Sequence, residues 1–85
     1  MKKQEVMIQL AGGLEARPVA MLVQVASQHD STVYLETEGK KVNAKSIMGM
    51  MSLGLGSGEM VTIIADGADE DAAVENIAKY LGGNN

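Results

Sequence analysis

The sequence predicts an α+β protein in which three helices cover one face of a four-stranded antiparallel sheet. Strand patterns and helix patterns follow one another along the chain in the order βαββαβα. The chain has 85 residues, of which 46% are hydrophobic, which is enough for one domain over residues 1–85 with one core. Strands and helices in this order are expected to pack as a two-layer sandwich.

The first two elements are a strand and a helix. Val6, Ile8 and Leu10 occupy alternate positions, which is typical of a strand with one buried face. A helix over residues 16–28 follows, because Pro18 suits the first turn of a helix, where its missing N–H is not needed. The apolar residues of this helix have helical spacing: Val19, Leu22, Val23 and Ala26.

A hairpin and a short helix occupy the middle of the chain. Residues 32–36 and 40–43 are predicted to pair across a turn at Glu38-Gly39. The helix is expected over residues 47–53, with Ser46 as its N-cap.

The last two elements are a strand over residues 59–65 and a helix that Gly82-Gly83 ends. The helix has an apolar stripe and an acidic first turn, and its N-terminal dipole favours that negative charge. The stripe consists of Val74, Ile77 and Leu81, and the acidic residues are Asp69, Glu70 and Asp71. The uncovered face of the sheet is expected to carry Tyr34 and Thr62.

Composition excludes several function classes. The chain has two Tyr, no Phe and no Trp, and a net charge of −4, so a stacking or phosphate-binding surface for nucleic acid is not expected. Without cysteine, neither a disulfide nor a thiolate zinc site can form. No apolar run approaches the roughly 20 residues of a membrane span. We therefore expect a soluble cytoplasmic protein.

Two motifs carry a resemblance to a known family. Residues 13–18 read Gly-Leu-Glu-Ala-Arg-Pro, similar to the Gly-Leu-His-Ala-Arg-Pro motif of HPr, the phosphocarrier of the bacterial phosphoenolpyruvate-dependent sugar phosphotransferase system. Residues 45–54 resemble the regulatory segment of HPr from Gram-positive bacteria. The similarity extends over essentially the whole chain. It implies the open-faced β-sandwich fold of HPr, and a binding protein that is not an enzyme and has no cofactor.

Glu15 stands where phosphocarrying members of the family have histidine. A carboxylate lacks the titration of imidazole near neutral pH and would repel the incoming phosphoryl group, so carrier activity is not expected despite the adjacent Arg17. The sequence in this respect resembles the Crh branch of the family, which also lacks the histidine but typically has Gln. Glu15 is either tolerated in the first helical turn, the interpretation we favour, or a fixed imitation of phosphohistidine.

Ser46 is the predicted site of modification. By itself an N-cap serine is usually structural. The resemblance implies instead that HPr kinase/phosphorylase phosphorylates it, and a phosphate beside the N–H groups of a helix N-terminus is electrostatically favoured. Lys45 is adjacent in sequence and is expected to belong to the partner-binding surface.

The short helix has more apolar residues than one buried stripe requires. We expect Met50 and Leu53 in the core and an exposed patch elsewhere on the helix. The resemblance implies that this patch docks, with the phosphoserine and Arg17, on catabolite control protein A, a LacI-type transcription factor. The patch consists of Ile47, Met48 and Met51, and Ala20 and Gln24 extend it along the first helix. The alternative function is that of the phosphocarrier HPr.

Two further features have ordinary explanations. His29 has no neighbouring Arg in sequence, so we interpret it as a polar residue at a helix end and not as a phosphorylation site. The acidic group does not have the spacing of an EF-hand loop, so we attribute it to the helix dipole and expect no metal. That group consists of Asp66, Asp69, Glu70 and Asp71.

Overall fold

The computed structural model describes residues 1–10 and 16–82, and their elements follow the predicted order βαββαβα. The strands are β1 (Lys2–Met7), β2 (Thr32–Thr37), β3 (Lys40–Asn43) and β4 (Met60–Asp66). The helices are α1 (Ala16–Ser27), α2 (Ile47–Met51) and α3 (Glu70–Leu81). None of these helices is long and apolar enough to cross a membrane.

The four strands form one antiparallel sheet in the order β1-β4-β2-β3. In the central register, Ile63 of β4 lies opposite Leu35 of β2, which lies opposite Val42 of β3. Because side chains alternate along a strand, these three residues share the face that the helices cover. The predicted two-layer α+β architecture is confirmed.

The core between the two layers is aliphatic. Each element supplies side chains to it except β1 and β3, whose Val6 and Val42 pack against its margin. The largest fully buried side chains include Ile8, Leu22, Leu35, Met50, Ile63, Ile77 and Leu81. The predicted stripes of α1 and α3 are therefore the buried faces of those helices.

The first strand was predicted too late in the chain. It runs from Lys2 to Met7, because β4 offers backbone partners to each of these residues, from Ala65 opposite Lys2 to Met60 opposite Met7. Beyond Met7, the Ile8 N–H still donates to the carbonyl oxygen of Glu59 at 2.9 Å, and the Gln9 N–H then donates to the carbonyl oxygen of Leu81 in α3 at 2.7 Å. β1 lies at the edge of the sheet and pairs with β4 alone. The polar residues at the start of β1 therefore do not prevent its pairing.

The short helix α2 ends two residues earlier than predicted. Ser52 is its C-cap, and the N–H of Ser52 donates to the carbonyl oxygen of Met48. The Leu53 N–H donates to the carbonyl oxygen of Met50 at 3.1 Å, which closes a tighter turn. Leu53 nevertheless packs against the core as expected.

The open face of the sheet is partly covered by its own side chains. Tyr34 and Thr62, predicted to be exposed, are half-buried. Lys41 holds its ammonium nitrogen 5.0 Å from the centre of the Tyr34 ring, a cation–π distance. Ile64 lies between Tyr34 and Lys3 in the register and is only 5% exposed.

Candidate functional site

Ser46 is the N-cap of α2, as predicted. Its backbone is extended (φ −118°, ψ 114°), and its hydroxyl oxygen accepts the Gly49 N–H at 3.1 Å. This bond satisfies one of the N–H groups that the first turn of a helix leaves without a partner. The residue as a whole is half-buried.

Gly49 makes the close approach to Ser46 feasible. A Cβ atom at this position would lie 3.3 Å from the hydroxyl oxygen of Ser46 and 3.6 Å from Cβ of Val42. The absence of a side chain thus leaves space beside the serine oxygen. The sequence shows Gly49 only as an interruption in an apolar run, and its packing role required the structure.

Three apolar side chains of α2, which follows Ser46, are exposed, and we call them the docking patch after the role that the resemblance predicts for them: Ile47, Met48 and Met51. Their exposed fractions are 43%, 81% and 42%. Met50, in the same helix, is fully buried. The predicted division of this helix between core and surface is confirmed.

The helix α1 packs against α2, so the partner-binding residues predicted on α1 lie in the same helical layer as the docking patch. Arg17 and Gln24 are exposed, and Ala20 is half-buried between them along α1. The Tyr80 hydroxyl donates to the carbonyl oxygen of Pro18 at 2.9 Å and so ties the start of α1 to α3. Burial raises the pKa of Tyr80. Glu15 lies outside the described residues.

Lys45 forms its hydrogen bonds with His29 and Asn43. Its ammonium nitrogen donates to the carbonyl oxygen of His29, just beyond α1, at 2.8 Å. Its backbone N–H donates to the side-chain oxygen of Asn43, also at 2.8 Å. Adjacency in sequence therefore does not make Lys45 a neighbour of the serine oxygen.

Sequence reasoning missed a polar network around His29, which is only 9% exposed. Its Nδ1 lies 2.8 Å from a carboxylate oxygen of Asp69, and its Nε2 lies 3.1 Å from the amide nitrogen of Asn76. Asp69 also accepts the Ser31 N–H at 3.0 Å and the Ser31 hydroxyl. His29 and Asp69 are 40 positions apart, and no local pattern links them.

Asp69 has hydrogen-bond partners that the dipole interpretation of the acidic group did not include. It is the N-cap of α3 but makes no capping hydrogen bond with its side chain. The Ser31 hydroxyl, followed by His29 and two backbone N–H groups, holds the pKa of the Asp69 carboxyl well below its usual range. The network thus explains this residue better than the helix dipole does.

The other acidic residues take part in ion pairs. The N-terminal ammonium lies 3.0 Å from Glu70 and 3.7 Å from Asp66, and Lys2 lies 3.7 Å from Asp71. A hydrogen bond from the Gly67 N–H, followed by the N-terminal ammonium, lowers the pKa of Glu70. Within residues 1–10 and 16–82, no group of His, Asp and Glu has the arrangement of a metal site.

Comparison with known proteins identifies the family. A family model described as the PTS HPr component phosphorylation site matches residues 2–82. The chain belongs to the HPr family. Members of this family are phosphocarrier and regulatory proteins and not catalysts.

Within the HPr family, the chain is of the Crh type. It is 53% identical to the HPr-like protein Crh of Bacillus subtilis over 81 residues, which are 95% of each chain. It is 47% identical to the Crh of Halalkalibacterium halodurans, covering 95% of this chain and 96% of that protein.

An HPr structure has the same fold. The crystal structure of HPr-C-His from Thermoanaerobacter tengcongensis matches with a TM-score of 0.93 at 43% identity, covering 99% of this chain and 94% of that one. The predicted open-faced β-sandwich is confirmed.

Proposed function

We propose that this HPr-family protein is a regulatory member that HPr kinase/phosphorylase phosphorylates on Ser46 and that then acts as a corepressor bound to catabolite control protein A. One observation carries the proposal: the Ser46 hydroxyl lies at the start of α2, next to the docking patch of Ile47, Met48 and Met51. This role places the protein in the cytoplasm and requires no contact with DNA.

The surroundings of Ser46 suit a phosphorylated state. A phosphate would add about 1.5 to 2 negative charges and three acceptor oxygens at the N-terminal end of α2. The first N–H groups of a helix have no partner within the helix. Gly49, whose N–H already donates to the Ser46 oxygen, is the nearest such donor. The Lys45 ammonium group donates to the His29 carbonyl oxygen, so the backbone N–H groups of α2, and not Lys45, would be the first to stabilise the phosphate.

The docking patch would allow a partner protein to distinguish the phosphorylated form from the unmodified one. Exposed methionines adapt to the shape of a partner, and a partner that also has a basic side chain gains a charge-assisted hydrogen bond once the phosphate is present. Arg17 and Gln24, exposed on the neighbouring α1, widen the contact surface. Phosphorylation then raises affinity without a change of fold.

The alternative function is phosphoryl transfer in the sugar phosphotransferase system, which the description of the family model favours. Glu15 argues against it, because a carboxylate is negatively charged at neutral pH, before any transfer. Transfer through a phosphohistidine requires an imidazole at this position.

A labelling experiment distinguishes the two functions. HPr kinase/phosphorylase with ATP is expected to label the wild-type protein and not Ser46→Ala. Enzyme I with phosphoenolpyruvate is expected to leave the wild type unlabelled and to label Glu15→His, which restores the imidazole. Label on the wild type from Enzyme I would overturn the proposal.

A binding experiment tests the corepressor role. The phosphorylated protein is expected to bind catabolite control protein A at least tenfold more tightly than the unmodified protein, which corresponds to about 1.4 kcal/mol. Met48→Ala in the phosphorylated protein is expected to weaken binding, because truncation removes an exposed apolar contact. Equal binding of modified and unmodified proteins contradicts the switch.

A further inference from the structure

Six of the seven methionines are exposed, and two of them lie in the docking patch. Met48 is 81% exposed and Met51 is 42% exposed, whereas Met50 in the same short helix is fully buried. The structure therefore places an accessible and a protected thioether two residues apart in one helix. It also places Met60, 42% exposed, on the uncovered face of the sheet.

The chemistry of the chain directs mild oxidants to these thioethers. There is no cysteine, so no thiolate competes for a peroxide. The thioether sulfur gives an electron pair to one peroxide oxygen, the O–O bond breaks, an S–O bond forms and water leaves. Sulfur is oxidised by two electrons, and the peroxide is reduced by two.

We propose that Met48, and more slowly Met51, is a site of reversible oxidation by peroxide, and that the sulfoxide formed there weakens docking of the Ser46-phosphorylated protein on its LacI-type partner. The inference rests on the proposed function, because it assigns a regulation to the same docking patch. A sulfoxide is polar, so a contact that accepted the apolar thioether would bury an oxygen without a hydrogen-bond partner. Oxidation thus opposes the effect of phosphorylation.

The first test ranks the oxidation rates. The folded protein is treated with dilute hydrogen peroxide, and sulfoxide at each methionine is followed by peptide mass spectrometry. Met48 is expected to react fastest, Met51 and Met60 at similar intermediate rates, and Met50 slowest. In urea, where Met50 loses its protection, the rates are expected to converge. Oxidation of Met50 as fast as Met48 in the folded protein overturns the proposal.

The second test measures docking. The phosphorylated protein is oxidised, freed of peroxide, and titrated with catabolite control protein A. Affinity is expected to fall at least tenfold and to recover after treatment with methionine sulfoxide reductase and a thiol reductant. The double variant Met48→Leu/Met51→Leu keeps an apolar patch that peroxide cannot modify, so peroxide treatment is expected to change its affinity less than twofold relative to the same variant left untreated. The control Met60→Leu is expected to respond as the wild type does.

The outcomes separate this inference from the function on which it rests. If the unoxidised phosphoprotein binds and the oxidised one binds equally well, only the inference fails. If the double variant loses affinity as the wild type does, oxidation acts at another methionine, and the assignment to the docking patch is overturned. If the unoxidised phosphoprotein does not bind, the proposed function fails, and the docking consequence fails with it.

Discussion

The hydroxyl of Ser46 caps α2, because its oxygen accepts the Gly49 N–H at 3.1 Å. Ser46→Ala is expected to lower the free energy of unfolding by about 1 kcal/mol, and Ser46→Asp, which retains a capping oxygen, by less. Urea denaturation at neutral pH measures both. Ser57→Ala is the control, since the Ser57 hydroxyl reaches the Ile8 carbonyl only at 3.4 Å. If Ser46→Ala unfolds at the wild-type urea concentration, the capping bond contributes nothing.

Gly67 lies against buried Ser31, where there is no space for a side chain. A Cβ atom at Gly67 would lie 2.6 Å from the Ser31 hydroxyl oxygen and 2.7 Å from its Cα, and φ is +156°. Gly67→Ala is therefore expected to lower the free energy of unfolding by about 1–3 kcal/mol, as overpacking does. Gly56→Ala is the matched control, because its Cβ would meet only the end of the Glu59 side chain, at 3.7 Å. Thermal unfolding of the two variants compares them directly.

The helix α2 serves both the core and the surface within five residues. Met50→Ala is expected to cost about 2–5 kcal/mol of stability, because it leaves a cavity in the aliphatic core. Met48→Ala, two residues earlier and 81% exposed, is expected to change stability by less than about 0.5 kcal/mol. Chemical denaturation measures stability, and titration with the partner measures docking. Similar destabilisation by both variants contradicts the burial assigned to this helix.

Periodicity predicted the order of the elements, because burial follows a fixed period in strands and in helices. The division of α2 between core and surface was predicted instead from its excess of apolar residues over one buried stripe. Periodicity misplaced β1, because the polar residues from Lys2 to Glu5 hold their positions through backbone pairing with β4. It missed the contact of Lys45 with the His29 carbonyl, since such contacts depend on where distant elements meet. Similarity to the family motif predicted Ser46 as the site of modification. It did not predict the space that Gly49 leaves beside the serine oxygen.

At the scale of the whole molecule, the network of His29, Ser31 and Asp69 joins the end of α1 and the approach to β2 with the start of α3. The folded pKa of Asp69 is lowered, so its contribution to stability is complete above about pH 5. The contribution is lost as the pH falls below the ordinary Asp pKa of about 4. Asp69→Asn is expected to be less stable at pH 7 and to lose less stability on acidification.

Urea denaturation at pH 7 and at pH 3 measures this dependence. Glu75→Gln is the control, because Glu75 forms an exposed ion pair with Lys79 one helical turn away, at 3.2 Å. The control is expected to follow the wild-type pH dependence. An Asp69→Asn variant that loses as much stability on acidification as the wild type assigns the acid sensitivity to other carboxylates.

The strand order β1-β4-β2-β3 has a consequence for biosynthesis. The partner of Lys2 in the sheet is Ala65, so the first strand to leave the ribosome has no hydrogen-bonding neighbour until residues 60–66 have also emerged. The hairpin of β2 and β3, by contrast, closes over a short loop and can form early. During translation the backbone groups of β1 therefore stay unpaired until β4 has been made, and such an edge is open to pairing with other chains.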